Sequence, residues 1–106
     1  MSLTGNEDHS ISLQTASEWT ANFRDTISSG DTIAHYFGRT WLLDILAQEG
    51  CVGIRIYYAL DEEGKKQLVL TGVNSDGNDL YNGILAEKSL RCPTNCSSAN
   101  PLNSNS

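Results

Sequence analysis

Apolar residues recur along this chain in two rhythms. Leu13, Ala16, Trp19, Phe23 and Ile27 follow one another at spacings of three and four, which draws a single stripe along a helix. Ser12 stands just before the stripe, where its hydroxyl can accept an orphan backbone N–H as an N-cap. Thr20, Asn22 and Arg24 fall off the stripe, and Ser28-Ser29-Gly30-Asp31 ends it, with Gly30 suited to a left-handed closing position. Residues 32–37, with Ile33, Tyr36 and Phe37, read as a short strand that Gly38 breaks. Trp41, Leu42, Ile45, Leu46 and Glu49 then return to helical spacing, and Gly50 stops them.

The second rhythm is period two. Val52, Ile54, Ile56, Tyr58 and Leu60 alternate with Gly53, Arg55, Tyr57 and Ala59, the clearest strand signal in the chain. Residues 61–66 form a charged turn, residues 67–74 a return strand, and residues 75–79 a second turn. Residues 80–87 fit either a third hairpin strand or an irregular segment, and the role of residues 80–91 stays open. The series predicts an α+β fold: a small antiparallel sheet of three to four strands, two helices packed on one face, and a disordered C-terminal tail. With the helices over Ile54, Ile56 and Tyr58, the other face shows Arg55, Tyr57, Val69, Thr71 and Val73. That mixture suits either a half-wetted sheet face or a partner surface, where Tyr and Arg are favoured.

Composition sharpens the boundaries. Hydrophobic residues make up 39% of the 106, and the shortfall gathers at the two ends. Residues 1–11 are polar and patternless, which predicts a flexible arm. Residues 92–106 carry no charge, hold both prolines and are mostly Ser and Asn, which predicts a flexible tail. A single domain is expected between them, over residues 12–91. Thirteen acidic against seven basic residues give a net charge of −6, and no basic cluster exceeds Lys65-Lys66. Neither nucleic acid nor an anionic membrane is expected as a partner. Residues 1–8 show no basic, apolar leader pattern, and three cysteines are an odd number, so a cytoplasmic protein is expected.

Trp19-Thr20, Gly50-Cys51, the run Ile54-Arg55-Ile56-Tyr57-Tyr58, Gly72-Val73, Gly77-Asn78-Asp79 and Cys92-Pro93 with Cys96 occur in that order. As a set they resemble a family of short uncharacterised bacterial proteins, over roughly residues 12–102. The resemblance implies one compact unit and brings no activity, cofactor or partner with it.

Chemistry-bearing residues are few. Cys92 and Cys96 can chelate a soft metal or cycle as a disulfide, with Cys51, His35 and His9 as the remaining candidate ligands. Residues 74–79 carry oxygen ligands around Gly77, but Asn74 stands at the first position of a calcium-type loop and no closing Glu follows, so a β-turn is the simpler account. His35 alternates with Ile33 and Phe37 as a strand histidine. Asp61, Glu62 and Glu63 fit a solvated turn. No catalytic residue and no cofactor are assigned, and an enzyme is not the favoured class. The sequence favours a non-enzymatic protein-interaction module with an unknown partner or a homodimer, using a sheet face or edge around Arg55, Tyr57 and Thr71. The alternative is a thiol- or metal-handling protein acting through Cys92 and Cys96.

Overall fold

In a computed structural model, which describes residues 2–104, two helices and five strands run in the order α1 (Leu13–Arg24), β1 (Ala34–Tyr36), α2 (Arg39–Leu46), β2 (Cys51–Leu60), β3 (Lys66–Asn74), β4 (Leu85–Ala86) and β5 (Leu90–Cys92). Met1, Asn105 and Ser106, which end the expected arm and tail, lie outside the described residues. The class is α+β, as the pattern predicts. Its antiparallel sheet system comes in two pieces, β2-β3-β4 and β1-β5. Contacts gather the chain into two compact units, residues 2–7 with 37–89 and residues 8–36 with 90–104. The boundary expected between residues 91 and 92 falls inside β5. Among the described residues, no helix is long and apolar enough to cross a membrane.

The first unit is built on the hairpin. Arg55 pairs with Thr71, Ile56 with Leu70 and Tyr57 with Val69, and a bulge interrupts the register between Cys51 and Gly53. The charged turn owes its shape to Asp61, whose Oδ1 accepts from the N–H groups of Glu63 (2.9 Å) and Lys65 (3.0 Å). Gly64 takes the left-handed φ of +78° that the turn requires. Asn74 repeats the device in the second turn, accepting from Asp76 and Asn78 at 3.0 Å each. α2 packs on β2 and β3 and presses the fully buried Ile45 onto Leu70 and Ala86. Phe37, Leu42, Cys51, Ile54, Leu68 and Ile84 ring this core.

Residues 80–86 complete the unit without adding a full strand. Only Leu85 and Ala86 pair with β3. Gln48, just past α2, accepts from Ile84 N–H and donates to the Ile45 carbonyl, both at 2.9 Å, and so fastens this segment to the helix end.

The second unit holds α1 and the β1–β5 pair. Ser12 caps α1 as its spacing predicts, with Oγ accepting from Thr15 N–H at 3.1 Å. The helix stops earlier than the stripe. Thr26 Oγ1 donates to the Phe23 carbonyl at 2.7 Å, and such side-chain bonding to the backbone competes with another turn. Ile27 and Gly30 therefore lie beyond the Asp25 cap. The two helices that the pattern placed on one sheet face thus belong to different units. The pairing of His35 with Arg91 across β1 and β5 explains why. The short strand expected over residues 32–37 is present as β1, but its three-residue partner, so far along the chain, leaves no periodicity to reveal the pairing. Arg24 Nη1 donates to the Leu102 carbonyl at 2.8 Å, beside an open pocket of about 250 Å3 lined by Trp19, Phe23, Ile33 and Leu102.

Candidate interaction surface

The hairpin is longer than what covers it. Eight residues of α2 span about 12 Å, whereas ten residues of β2 span about 33 Å. The helix therefore shields the end of the hairpin that holds Ile54 and Leu70 and leaves the far end open. Ile56 is 53% exposed, Leu60 71% and Tyr58 94%. Alternation puts all three on one face, the face on which Leu70 meets Ile45 closer to the helix. Helices packed over this face would cover Ile56 and Tyr58 only if they reached along the whole strand. A helix only two turns long cannot reach them.

On the opposite face sit the residues read from the sequence as a surface. Arg55 and Tyr57 are brought together there, joined by a residue the sequence reading assigned to a turn. Arg55 Nη1 pairs with Asp79 Oδ1 at 2.5 Å and donates to the Gly77 carbonyl at 3.0 Å, while Tyr57 OH donates to Asp79 Oδ2. Asp79 is also bridged to Val73, so the turn is folded back against β3. Thr71 does not share this exposure. It is 3% exposed, its hydroxyl donating to the Gly72 carbonyl at 3.2 Å, so it offers a partner no surface. It faces Arg55 directly across the hairpin.

The electrostatics of the cluster are those of a satisfied ion pair. The hydrogen bond from Tyr57, then the Arg55 guanidinium, hold the Asp79 carboxyl below its ordinary range against the opposing effect of partial desolvation. The same hydrogen bond to Asp79 raises the Tyr57 phenol, and that to Arg55 raises the guanidinium. A phenol pushed up and a carboxylate held down are both poor proton-transfer groups near neutral pH. The cluster thus fastens the turn and neutralises the one charge on β2. Asp79 was legible only as a turn residue because its partners lie twenty-two and twenty-four positions earlier.

Cys92 and Cys96 form a disulfide in the second unit. Cys92 is buried and its carbonyl accepts from Ile33 N–H at 2.8 Å, while Cys96 is exposed. Bonded to each other, the two sulfurs present no thiolate to a metal. His35, on β1, is pushed below its ordinary value by burial first and by the Arg91 charge second. Among the described residues no group of three or more His, Cys, Asp or Glu side chains is placed to hold a metal ion. Comparison of the chain with protein-family models, with curated proteins and with solved structures found no match in any of the three.

Proposed function

We propose that this protein is a non-enzymatic interaction module that associates with a second copy of itself through the open end of its hairpin. The observation that carries the reading is the row Ile56, Tyr58 and Leu60, three large apolar side chains on one strand face with solvent where the helix ends. Such a row lowers the free energy when part of it is covered, by about 25 cal/mol for each Å2 of apolar surface removed from water. A second copy is the occupant that brings the same apolar row without adding charge to it.

The test is the mass of the wild-type chain in solution, against that of a Tyr58→Ser/Leu60→Ser double variant. The wild type is expected to be dimeric at micromolar concentration. The variant should dissociate with a dimer constant weakened on the order of a hundredfold, its far-ultraviolet circular dichroism unchanged. A wild type that stays monomeric, or a variant that dimerises equally well, would sink the proposal.

The disulfide favours a second reading, thiol handling through Cys92 and Cys96. An incoming thiolate can attack the exposed Cys96 sulfur, forming a mixed disulfide there as the Cys92–Cys96 bond breaks and Cys92 leaves as the thiolate. Titrating the folded protein with a dithiol would test it: a bond that is reduced only after the chain unfolds removes this reading.

A further inference from the structure

β2 is an edge strand. It pairs with β3 on one side and, among the described residues, with no strand on the other. Which of its backbone groups are free follows from β3. The Gly72 carbonyl accepts from Leu80 N–H at 2.8 Å, and Asn74 N–H donates to the Asn78 carbonyl at 2.9 Å. Backbone groups alternate sides along an antiparallel strand. The even-numbered residues of β3 therefore bond toward β4, and Val69, Thr71 and Val73 bond toward β2. Their partners are Tyr57, Arg55 and Gly53. The N–H and C=O groups of Ile54, Ile56, Tyr58 and Leu60 consequently point outward along the open edge.

We infer that the second copy takes this edge, its β2 running antiparallel to the first about a twofold axis at Tyr57, so that two three-stranded sheets join into one of six strands. The inference rests on the self-association proposed above and specifies its geometry. Three observations select it. First, the edge is unguarded: its only charged residue is Arg55, already paired with Asp79, and it has no proline, lysine or glutamate to repel another strand. Second, one end is closed. Gly5 of the N-terminal segment lies so near the Val52 carbonyl that a Cβ there would come within 2.8 Å of it. Ile54, Ile56, Tyr58 and Leu60 remain, and their midpoint is Tyr57. Ile54 then faces Leu60 of the second copy, an aliphatic pair, and Ile56 faces Tyr58, an aromatic and β-branched pair of the kind that stabilises sheets.

The third observation is charge. Two chains of net charge −6 repel on average. In this register Arg55 faces the uncharged Ala59, and the acidic turns that begin at Asp61 sit at opposite ends of the new strand pair. Eight strand residues separate those turns by roughly 27 Å, well beyond the ~8 Å over which charges act in physiological salt.

Cysteine cross-linking reads the register directly. Tyr57→Cys places two thiols across the axis at a non-hydrogen-bonded pair, where a disulfide can form. Ala59→Cys places them four residues out of step, beyond the ~7 Å Cα limit of a disulfide. Under mild oxidation the first variant should give roughly tenfold more covalent dimer than the second, and the parent, with its own cysteines, should give none. In the wild-type dimer the amide hydrogens of Ile56 and Tyr58 should exchange slowly, then quickly on dilution to monomer. If the wild type is dimeric yet Ala59→Cys cross-links as well as Tyr57→Cys, or those amides exchange fast in the dimer, edge pairing is overturned while self-association stands. A wild type that is monomeric by mass overturns both.

Discussion

The two units of this protein each carry one helix, and the shorter helix makes the core. α2 has eight residues and presses Ile45 onto Leu70 and Ala86. α1 has twelve, a Ser12 cap and a regular apolar stripe, yet buries no residue at all. In its unit Cys92 alone is buried among the described residues. What holds that unit is polar and covalent: the β1–β5 ladder, the Arg24 contact with the Leu102 carbonyl, and the disulfide. An apolar period thus announces a face to be covered but does not say what covers it. Ile45 finds a sheet beneath it, whereas Trp19 remains 64% exposed.

The contrast can be broken most strongly at Ile45. Ile45→Ala should cost about 2–5 kcal/mol, the range for emptying a fully buried site and a large share of the ~5–15 kcal/mol that holds a domain together. Phe23→Ala on α1 removes a larger side chain, but from a site that is 42% exposed, and should cost less, about 1–2 kcal/mol. Urea titration of both variants checks the pair, and equal losses would show that α1 has a core of its own. Next in size is the disulfide. A loop closed by cysteines four residues apart is worth about 2 kcal/mol through the entropy of the unfolded chain. In a Cys92→Ser/Cys96→Ser variant, amide protection should fall at residues 34–36 and 90–92 and persist in β2 and β3. A uniform loss would erase the distinction between the units.

The α+β class, α2, β2 and β3 were legible in the sequence because each spans several periods of its own rhythm. Lys66–Asn74 differs from the expected return strand by one residue at its start. β4 and β5 were not legible, since two or three residues cannot display a period and their pairing depends on contacts far along the chain. At the surface, Arg55 and Tyr57 were placed correctly on one face by alternation. The burial of Thr71 on that same face was hidden, because strand parity gives the side of a sheet and not its depth. The exposure of Ile56 and Tyr58 is hidden for a reason of length: the pattern shows that α2 has an apolar face but does not compare its reach with that of a ten-residue strand.

Acid should sharpen the comparison by the smallest effect of all, at a different pH in each unit. His35 titrates below its ordinary value near 6.5 because it is partly buried beside Arg91. The unfolded chain therefore binds that proton more readily, and the second unit should lose stability as pH falls through about 6.5, until His35 is itself protonated in the folded state. Asp79 works further down the scale. Its carboxyl, held below the ordinary value of 3.8 by Tyr57 and Arg55, contributes stability that is present above that value and is lost as pH falls through the folded pKa. Amide exchange followed from neutral pH downward should show residues 34–36 and 90–92 loosening first, below the ordinary histidine value of about 6.5, with residues 75–79 loosening only below the ordinary carboxylate value of about 3.9. His35→Phe should abolish the first step and leave the second. A first step that survives in that variant would trace the acid sensitivity of the weaker unit to its carboxylates, and the two units would then differ in how they bury apolar surface but not in how they answer to protons.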